Sequence, residues 1–316
     1  MKIEGENFPL VSVCIPTYQH APYIRECVEN VLRQKTDFSF EIVIGEDAST
    51  DGTREICLEY AEKYPDKIRL FLRSREDVIY IDNRATGRFN FTETMKAARG
   101  KYIALCEGDD YWVDDNKLQM QVEFMEKNPG FSLIHTNVNH VNRNGVVVLP
   151  APLNYKDVMT HEEVSGVITV QTLTMVFRKD ALGILPAEFY KVFNADLFLV
   201  AMLSEKGKVK FINAVTGCYR KHEGGIFTGI NYKNRLMNRM DTLNTMLHYF
   251  SSSRVKQNMK NAISKSYGRL LYADLSMHNY SEFFRLLLKT IYFDITNFRF
   301  SFVHLINHAL KKLWRK

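Results

Sequence analysis

Three carboxylates crowd into four residues at Glu107-Gly108-Asp109-Asp110, within the stretch Cys106-Glu107-Gly108-Asp109-Asp110-Tyr111-Trp112. Like charges this close raise one another's pKa, so the segment carries an electrostatic cost. A divalent cation relieves it, because Mg²⁺ or Mn²⁺ takes hard oxygen ligands and bridges a carboxylate to a diphosphate. The other reading of these residues is a solvated acidic turn. The apolar run Tyr102-Ile103-Ala104-Leu105 directly before the cluster reads as a strand. That sets the carboxylates at a strand's carboxyl end, where open α/β sheets place their ligands.

Two more loops follow strand-like runs. Val11-Ser12-Val13-Cys14-Ile15 leads into Pro16-Thr17-Tyr18-Gln19-His20, and Glu41-Ile42-Val43-Ile44-Gly45 leads into Glu46-Asp47-Ala48-Ser49-Thr50-Asp51-Gly52-Thr53. In a parallel sheet these loops and the acidic cluster emerge on one edge and can build one site. Neither G-x-G-x-x-G nor a Walker A loop occurs, which argues against dinucleotide oxidoreductases and P-loop enzymes.

The elements behind the loops alternate. After Pro22, the residues Ile24, Cys27, Val28, Val31 and Leu32 recur at the spacing of one helix face. A second helix follows Thr53, Ile68–Leu72 reads as a third strand, and Phe91–Arg99 as a further helix before the Tyr102–Cys106 strand. Strands alternating with helices predict an α/β fold with a doubly wound, Rossmann-like, mostly parallel sheet. Later runs predict a helix at Leu118–Lys127, strands at Phe131–His135, Gly145–Leu149 and Lys208–Ile212, a β-prone stretch at Thr169–Phe177, and a helix opening at Asp196. From about Asn231 the pattern is wholly helical.

The ordered motifs resemble the family 2 glycosyltransferases of GT-A fold, the nucleotide-diphospho-sugar transferase fold. That family's nucleotide-binding half opens with Pro-Thr-Tyr-Asn, matched here by Pro16-Thr17-Tyr18-Gln19. Its second strand ends in Asp-Asp-Gly-Ser-Thr-Asp-Gly-Thr, against Glu46 to Thr53, and its DxD-type motif corresponds to Glu107-Gly108-Asp109-Asp110. Asn194-Ala195-Asp196-Leu197 stands where the family carries its catalytic Glu-Asp or Gly-Asp, and Tyr219-Arg220-Lys221-His222-Glu223-Gly224 looks like its Tyr-Arg-x-His-x-Gly segment. The match runs to about Gly225.

The resemblance implies an inverting enzyme of the bacterial cell-surface polysaccharide type. It would move a sugar from a UDP-sugar to a hydroxyl of a glycan or lipid-linked acceptor, with Mn²⁺ or Mg²⁺. Pro16, Thr17, Tyr18, Glu46, Asp47, Arg88 and Gly108 would then form the nucleotide site, with Asp47 accepting the uracil N3–H and Tyr18 against the base. Asp47 to Thr53 also reads as a turn and helix N-cap supplied by Asp51 or Thr50. Arg84 or Arg88 either touches the diphosphate or base, or forms an exposed salt bridge. Asp109, supported by Glu107 and Asp110, is the implied metal ligand. His222 either completes the metal sphere or donates to a phosphate oxygen, and Arg220 or Lys221 offsets diphosphate charge. Asp196 is the implied general base. Two other readings are a non-catalytic nucleotide-sugar-binding scaffold and a sugar nucleotidyltransferase. The latter usually opens with a Gly-rich loop, unlike Pro16-Thr17-Tyr18.

Composition sets the remaining bounds. With 316 residues, 46% apolar and 25% charged, the chain has an ordinary globular make-up. The net charge of +6 is uneven: residues 230–316 hold 15 Lys and Arg against 4 Asp and Glu, while residues 1–229 hold 27 against 32. We therefore expect a catalytic domain over 1–229 and a basic helical region over 230–316. Phe298, Phe300, Phe302, Leu305, Ile306, Leu310 and Trp314 mingle with Arg299, Lys311, Lys312, Arg315 and Lys316. Such a mixture suits peripheral contact with anionic lipid, or packing on the body or a second subunit. No nucleic-acid reading module is present. Cys14, Cys27, Cys57, Cys106 and Cys218 show no metal spacing and predict reduced, buried thiols. The amino terminus lacks a signal-peptide core, and no run reaches the ~18 apolar residues of a membrane span. The expected location is cytoplasmic, with peripheral contact at the cytoplasmic face of the inner membrane.

Overall fold

A computed structural model describes residues 8–151, 155–165, 168–225 and 229–297. The first half runs β1 (Val11–Thr17), α1 (Ile24–Leu32), β2 (Phe40–Glu46), α2 (Thr53–Lys63), β3 (Ile68–Leu72), β4 (Tyr80–Ile81), β5 (Arg84–Ala85), α3 (Arg88–Lys96), β6 (Tyr102–Leu105) and β7 (Tyr111–Trp112). Then come α4 (Lys117–Lys127), β8 (Phe131–Asn142), β9 (Val147–Leu149), β10 (Val158–Met159), α5 (His161–Val164), β11 (Val176–Arg178), α6 (Lys179–Leu182), α7 (Ala195–Lys206) and β12 (Lys208–Lys221). Three helices close the described chain: α8 (Tyr232–Tyr249), α9 (Ser253–Ser276) and α10 (Tyr280–Thr296).

The main sheet has the order β10-β12-β8-β11-β6-β1-β2-β3. Strands β6, β1, β2 and β3 are mutually parallel, and so are β12 and β8. Strand β11 lies antiparallel between β6 and β8, so the sheet is mixed beyond its nucleotide-binding half. Parallel strands are covered on both faces and become apolar on both. Val13, Ile15, Ile42 and Ile44 pack with Ile24, Cys27, Val28 and Val31 of α1. Cys14, Val43, Ile103 and Leu105 pack on the opposite face with α7. The residues of α7 are buried almost all round, as expected of a helix without a polar face. Leu236, Met240, Leu243 and Met246 of α8 join that same cluster.

Register brings the loop-bearing ends together. Thr17 of β1 stands opposite Glu46 of β2, and Cys14 opposite Leu105 of β6. The amide of Gly108 then donates to Pro16 O at 3.1 Å, which seats the acidic loop against the first one. Gly45 lets α3 lie close to the end of β2, because a Cβ there would stand 2.0 Å from Thr94 Oγ1 and 2.2 Å from Asn90 Oδ1. The Asn90 amide uses that approach, donating to Gly45 O at 2.7 Å and Thr17 O at 3.4 Å.

Three expectations need correcting. Helix α3 begins at Arg88, earlier than Phe91. Of the β-prone stretch Thr169–Phe177, residues Thr172–Thr174 form a 3₁₀ turn, and only the end enters β11. That turn is held by Trp112 Nε1 donating to Leu173 O and Gln121 Nε2 donating to Thr174 O. Strand β12 runs to Lys221, far past Ile212, through register shifts near Ile212, Val215 and Gly217. Past the bends it pairs with β7, Gly217 opposite Trp112 and Cys218 opposite Tyr111. The extension therefore delivers Arg220 to His222 to the acidic loop.

All five cysteines are free and buried. No helix among the described residues is long and apolar enough to cross a membrane. The aromatic and basic run from Phe298 to Lys316 lies outside the described residues.

Candidate active site

The first loop turns sharply at Gln19, whose φ is 56°. This brings His20 back against Thr17, with Thr17 Oγ1 and His20 Nδ1 3.1 Å apart. With Nδ1 engaged, Nε2 faces Asp109 Oδ2 at 3.7 Å. Fixing one ring nitrogen in this way orients the other for a ligand. Gly108 makes the close approach possible, since a Cβ on it would stand 2.4 Å from Thr17 Oγ1. Both Thr17 and Gly108 thus shape the site by backbone and packing. The sequence reading passed over His20.

The second loop separates its two acidic residues. Glu46 is fully buried, and its carboxylate accepts from Ser49 N and Arg54 Nε. It braces the loop, each carboxylate oxygen holding one donor. Asp47 is different: Oδ2 pairs with Arg75 at 2.5 Å, while Oδ1 is buried without a partner. Burial raises the Asp47 pKa and Arg75 opposes the rise. The Arg75 guanidinium also lies over the Tyr18 ring, 4.2 Å from its centroid. Tyr18 is 38% exposed, so one face of this pair is open to a flat ligand. Arg75 sits in a 3₁₀ turn after β3, a place no motif flagged. The N-cap of α2 is Gly52, and Asp51 just before it accepts from Thr53 N at 3.1 Å and Ala21 N at 3.0 Å.

In the third loop the three carboxylates part company. Asp110 is buried, and Oδ1 accepts the Arg220 backbone N–H at 2.7 Å. Burial, then the charges of Asp109 and Glu107, push its pKa well up, toward the neutral form. Burial and Asp109 likewise raise Glu107, whose Oε2 is enclosed without a partner. Only Asp109 is held low: burial works against it, but His20 and His222 outweigh that. His222 Nε2 stands 3.0 Å from Asp109 Oδ2. Ligand atoms of His20, Asp109 and His222 all lie within 4.8 Å of one another, the one such cluster among the described residues. Two imidazoles and a carboxylate form a donor set that suits a divalent metal ion. Of the expected metal set Asp109, Glu107, Asp110 and His222, the structure gathers Asp109 and His222, and adds His20.

Arg220 is also reassigned. Its Nε donates to Asp109 O, Nη1 to Arg143 O and Nη2 to Glu26, and it packs between the Tyr23 and Tyr111 rings. With these contacts it locks the acidic loop in place. Lys221 next to it is exposed, and no ion pair holds it among the described residues.

Asp196 is the second residue of α7, half-buried. Burial raises its pKa, against the Leu197 amide, Arg88 and Arg239. Arg88 is buried beside it, donating to Val192 O at 2.7 Å and Phe193 O at 3.2 Å. There it clamps the segment that leads into α7, while its buried Nε has no partner among the described residues. The Asp196 charge reaches Glu107 and the buried phenol of Tyr219, which also feels Asp109 and Asp110. Asp196 and the acidic loop therefore share one electrostatic neighbourhood, and the backbone N–H of Asp47 donates to Thr17 O in the adjoining loop.

A mixed sheet whose parallel half presents three such loops at its carboxyl edge, with a helix-borne carboxylate across from them, is a GT-A architecture. The profile of glycosyl transferase family 2 matches residues 12–182, and the chain belongs to that family. It is 31% identical over 219 residues to the uncharacterized protein Rv1520 of Mycobacterium tuberculosis H37Rv, covering 69% of this chain and 60% of that one. The match thus spans somewhat over half the length of that relative. It is 28% identical over 222 residues to WfgD of Escherichia coli, a UDP-Glc:α-D-GlcNAc-diphosphoundecaprenol β-1,3-glucosyltransferase, covering 69% and 79%. Among solved structures, TarS 1–349 of S. aureus in complex with UDP-GlcNAc superposes with a TM-score of 0.60 at 17% identity, over 90% of this chain and 81% of that one. At that identity the likeness concerns the fold.

Proposed function

We propose that the chain is an inverting, metal-dependent glycosyltransferase that moves a sugar from a UDP-sugar to a hydroxyl of a glycan or lipid-linked acceptor in cell-surface polysaccharide synthesis. The observation that carries this reading is the loop set at one sheet edge: Asp47 with its unpartnered Oδ1, the His20–Asp109–His222 cluster, and Asp196 beyond it. Asp47 Oδ1 suits the N3–H of uracil, with Tyr18 and Arg75 flanking the ring. Asp196 accepts the acceptor's proton as its oxygen attacks the anomeric carbon, and the bond to the diphosphate oxygen breaks with its electron pair on UDP. Lys221 offsets charge on that leaving group. Mn²⁺ or Mg²⁺ held by His20, Asp109 and His222 would supply further electrostatic stabilisation of the departing diphosphate. The UDP-sugar ligands named for WfgD and TarS support the choice of donor.

Screening UDP-, GDP- and dTDP-sugars for hydrolysis tests the reading. We expect UDP release from a UDP-sugar with Mn²⁺ and none in EDTA. UDP binding without turnover favours a non-catalytic nucleotide-sugar scaffold, and pyrophosphate-dependent exchange favours a nucleotidyltransferase.

Peripheral attachment to the cytoplasmic face of a membrane is part of the same proposal. Tyr280, Phe284 and Leu288 recur every fourth residue on α10 and are exposed, with Arg285 and Lys289 beside them. The excess of 15 Lys and Arg over 4 Asp and Glu in residues 230–316 suits an anionic surface. Co-sedimentation with phosphatidylglycerol vesicles should occur for the native chain and fall several-fold for Phe284→Ser/Leu288→Ser. Equal sedimentation of both proteins removes α10 from the membrane reading.

A further inference from the structure

A polar cavity lies on the face of α8 and α9, and α8 reaches the start of α7, where Asn194 N donates to Thr242 Oγ1 at 3.3 Å. It is a half-open depression of about 270 Å³, lined by Arg239, Asn258, Asn261, Ser266 and the exposed Lys265 and Arg269. The α9 residues fall at 258, 261, 265 or 266, and 269, the spacing of one helix face. Arg239 reaches in from α8, with Nη1 donating to Thr169 Oγ1 at 3.2 Å. No lining residue is acidic, and neither Lys265 nor Arg269 is paired with a carboxylate among the described residues. Ser266 Oγ donates to Ala262 O, Asn258 Nδ2 to Glu162 O and Arg239 to Thr169, so Lys265, Arg269 and the Asn261 amide are the donors an oxyanion would meet first.

Its position narrows the role. Arg239 stands one turn before Thr242, which accepts from Asn194 N two residues ahead of Asp196, and the Arg239 and Asp196 charges each act on the other's ionisation. On the reading above, the diphosphate of the donor belongs with His20, Asp109, His222 and Lys221. An attacking hydroxyl is neutral and calls for no cation. A separate cationic depression on the face of α8 and α9 therefore suits an anionic group elsewhere on the acceptor.

We propose that this cavity is an acceptor subsite that holds a phosphate or diphosphate group of the acceptor, placing the hydroxyl to be glycosylated at Asp196. The inference rests on the proposed function and names its acceptor class. Phosphate chemistry of this kind comes from two sources: a lipid-diphosphate-linked saccharide or a phosphate-bearing polymer.

The test uses the full chain with UDP saturating the nucleotide site and EDTA present, titrated calorimetrically with pyrophosphate, glycerol 3-phosphate or glucuronate. Pyrophosphate or glycerol phosphate should bind, and Lys265→Gln/Arg269→Gln should weaken that binding roughly tenfold or more. Lys256→Gln/Lys260→Gln, on the same helix outside the cavity, should bind as the native chain does. Tighter pyrophosphate binding assigns the lipid-diphosphate source, and tighter glycerol phosphate binding assigns the polymer. Absence of phosphate binding, equal binding by the Lys265→Gln/Arg269→Gln protein, or a response to glucuronate alone overturns the proposal. UDP-sugar hydrolysis with Mn²⁺, measured on the same preparations, separates the two readings. Hydrolysis without pyrophosphate or glycerol phosphate binding removes the subsite alone, whereas phosphate binding without hydrolysis removes the proposed function and the acceptor role together.

Discussion

Asp196→Asn should lower sugar transfer by roughly 10²–10⁴-fold, the usual contribution of a positioned general base, while leaving UDP binding unchanged. The reasoning is geometric first. Asp196 sits at the start of α7, held there by Arg88, whose buried guanidinium grips the carbonyls of Val192 and Phe193. The nucleotide contacts assigned to Asp47, Tyr18 and Arg75 lie on other loops, so removing one carboxylate charge at α7 does not reach them. Burial lifts the Asp196 pKa above its ordinary value. A base works in its ionised form, so activity should fall as pH drops through that raised pKa, earlier than for an exposed aspartate. At saturating Mn²⁺ that acid limb should disappear from the residual activity of Asp196→Asn. Transfer kinetics across pH, with UDP affinity measured in parallel, check both statements. Near-native turnover in Asp196→Asn would remove the base assignment.

What could be read from the sequence divides along physical lines. The strands ending at Thr17, Glu46 and Leu105 were legible because both faces of a parallel sheet are buried, leaving short continuous apolar runs. Helix α1 was legible from the 3.6-residue recurrence of Ile24, Cys27, Val28 and Val31, all fully buried. Strand β12 was not. Its bends around Ile212 to Gly217 interrupt any alternation, yet they carry His222 to Asp109. Charge counting also hid a distinction. Glu107, Asp109 and Asp110 look equivalent in the chain, but enclosure drives Glu107 and Asp110 toward neutrality while two imidazoles keep Asp109 ionised. Arginines were the least legible. Arg220 matched an expected position but is spent on backbone carbonyls and Glu26, and Arg88 holds two backbone carbonyls while its buried Nε stays unpartnered. Arg75 and Arg239, which face Asp47 and Asp196, stand outside every motif because tertiary packing alone puts them there.

The second large effect concerns the cluster at Asp109. Asp109→Ala should weaken Mn²⁺ binding by about 100-fold or more, since loss of outer partners alone typically costs 10–100-fold and this side chain is the one anionic donor of the cluster. Donor hydrolysis should vanish with it. His20 and His222 would remain, held by Thr17 and by the end of β12, but two neutral imidazoles bind a hard divalent ion poorly without a carboxylate. The informative comparison is Asp110→Asn. An asparagine there matches that carboxyl in shape and can still accept the Arg220 N–H, and burial already disfavours its charge, so Mn²⁺ affinity should stay near native. Glu107→Gln should behave likewise, because burial holds that carboxyl toward its neutral form. Titration of Mn²⁺ by electron paramagnetic resonance reads all three variants without relying on turnover. Were Asp110→Asn to lose as much affinity as Asp109→Ala, the ion would be held by the acidic run itself, and the role given to the two histidines would have to be withdrawn.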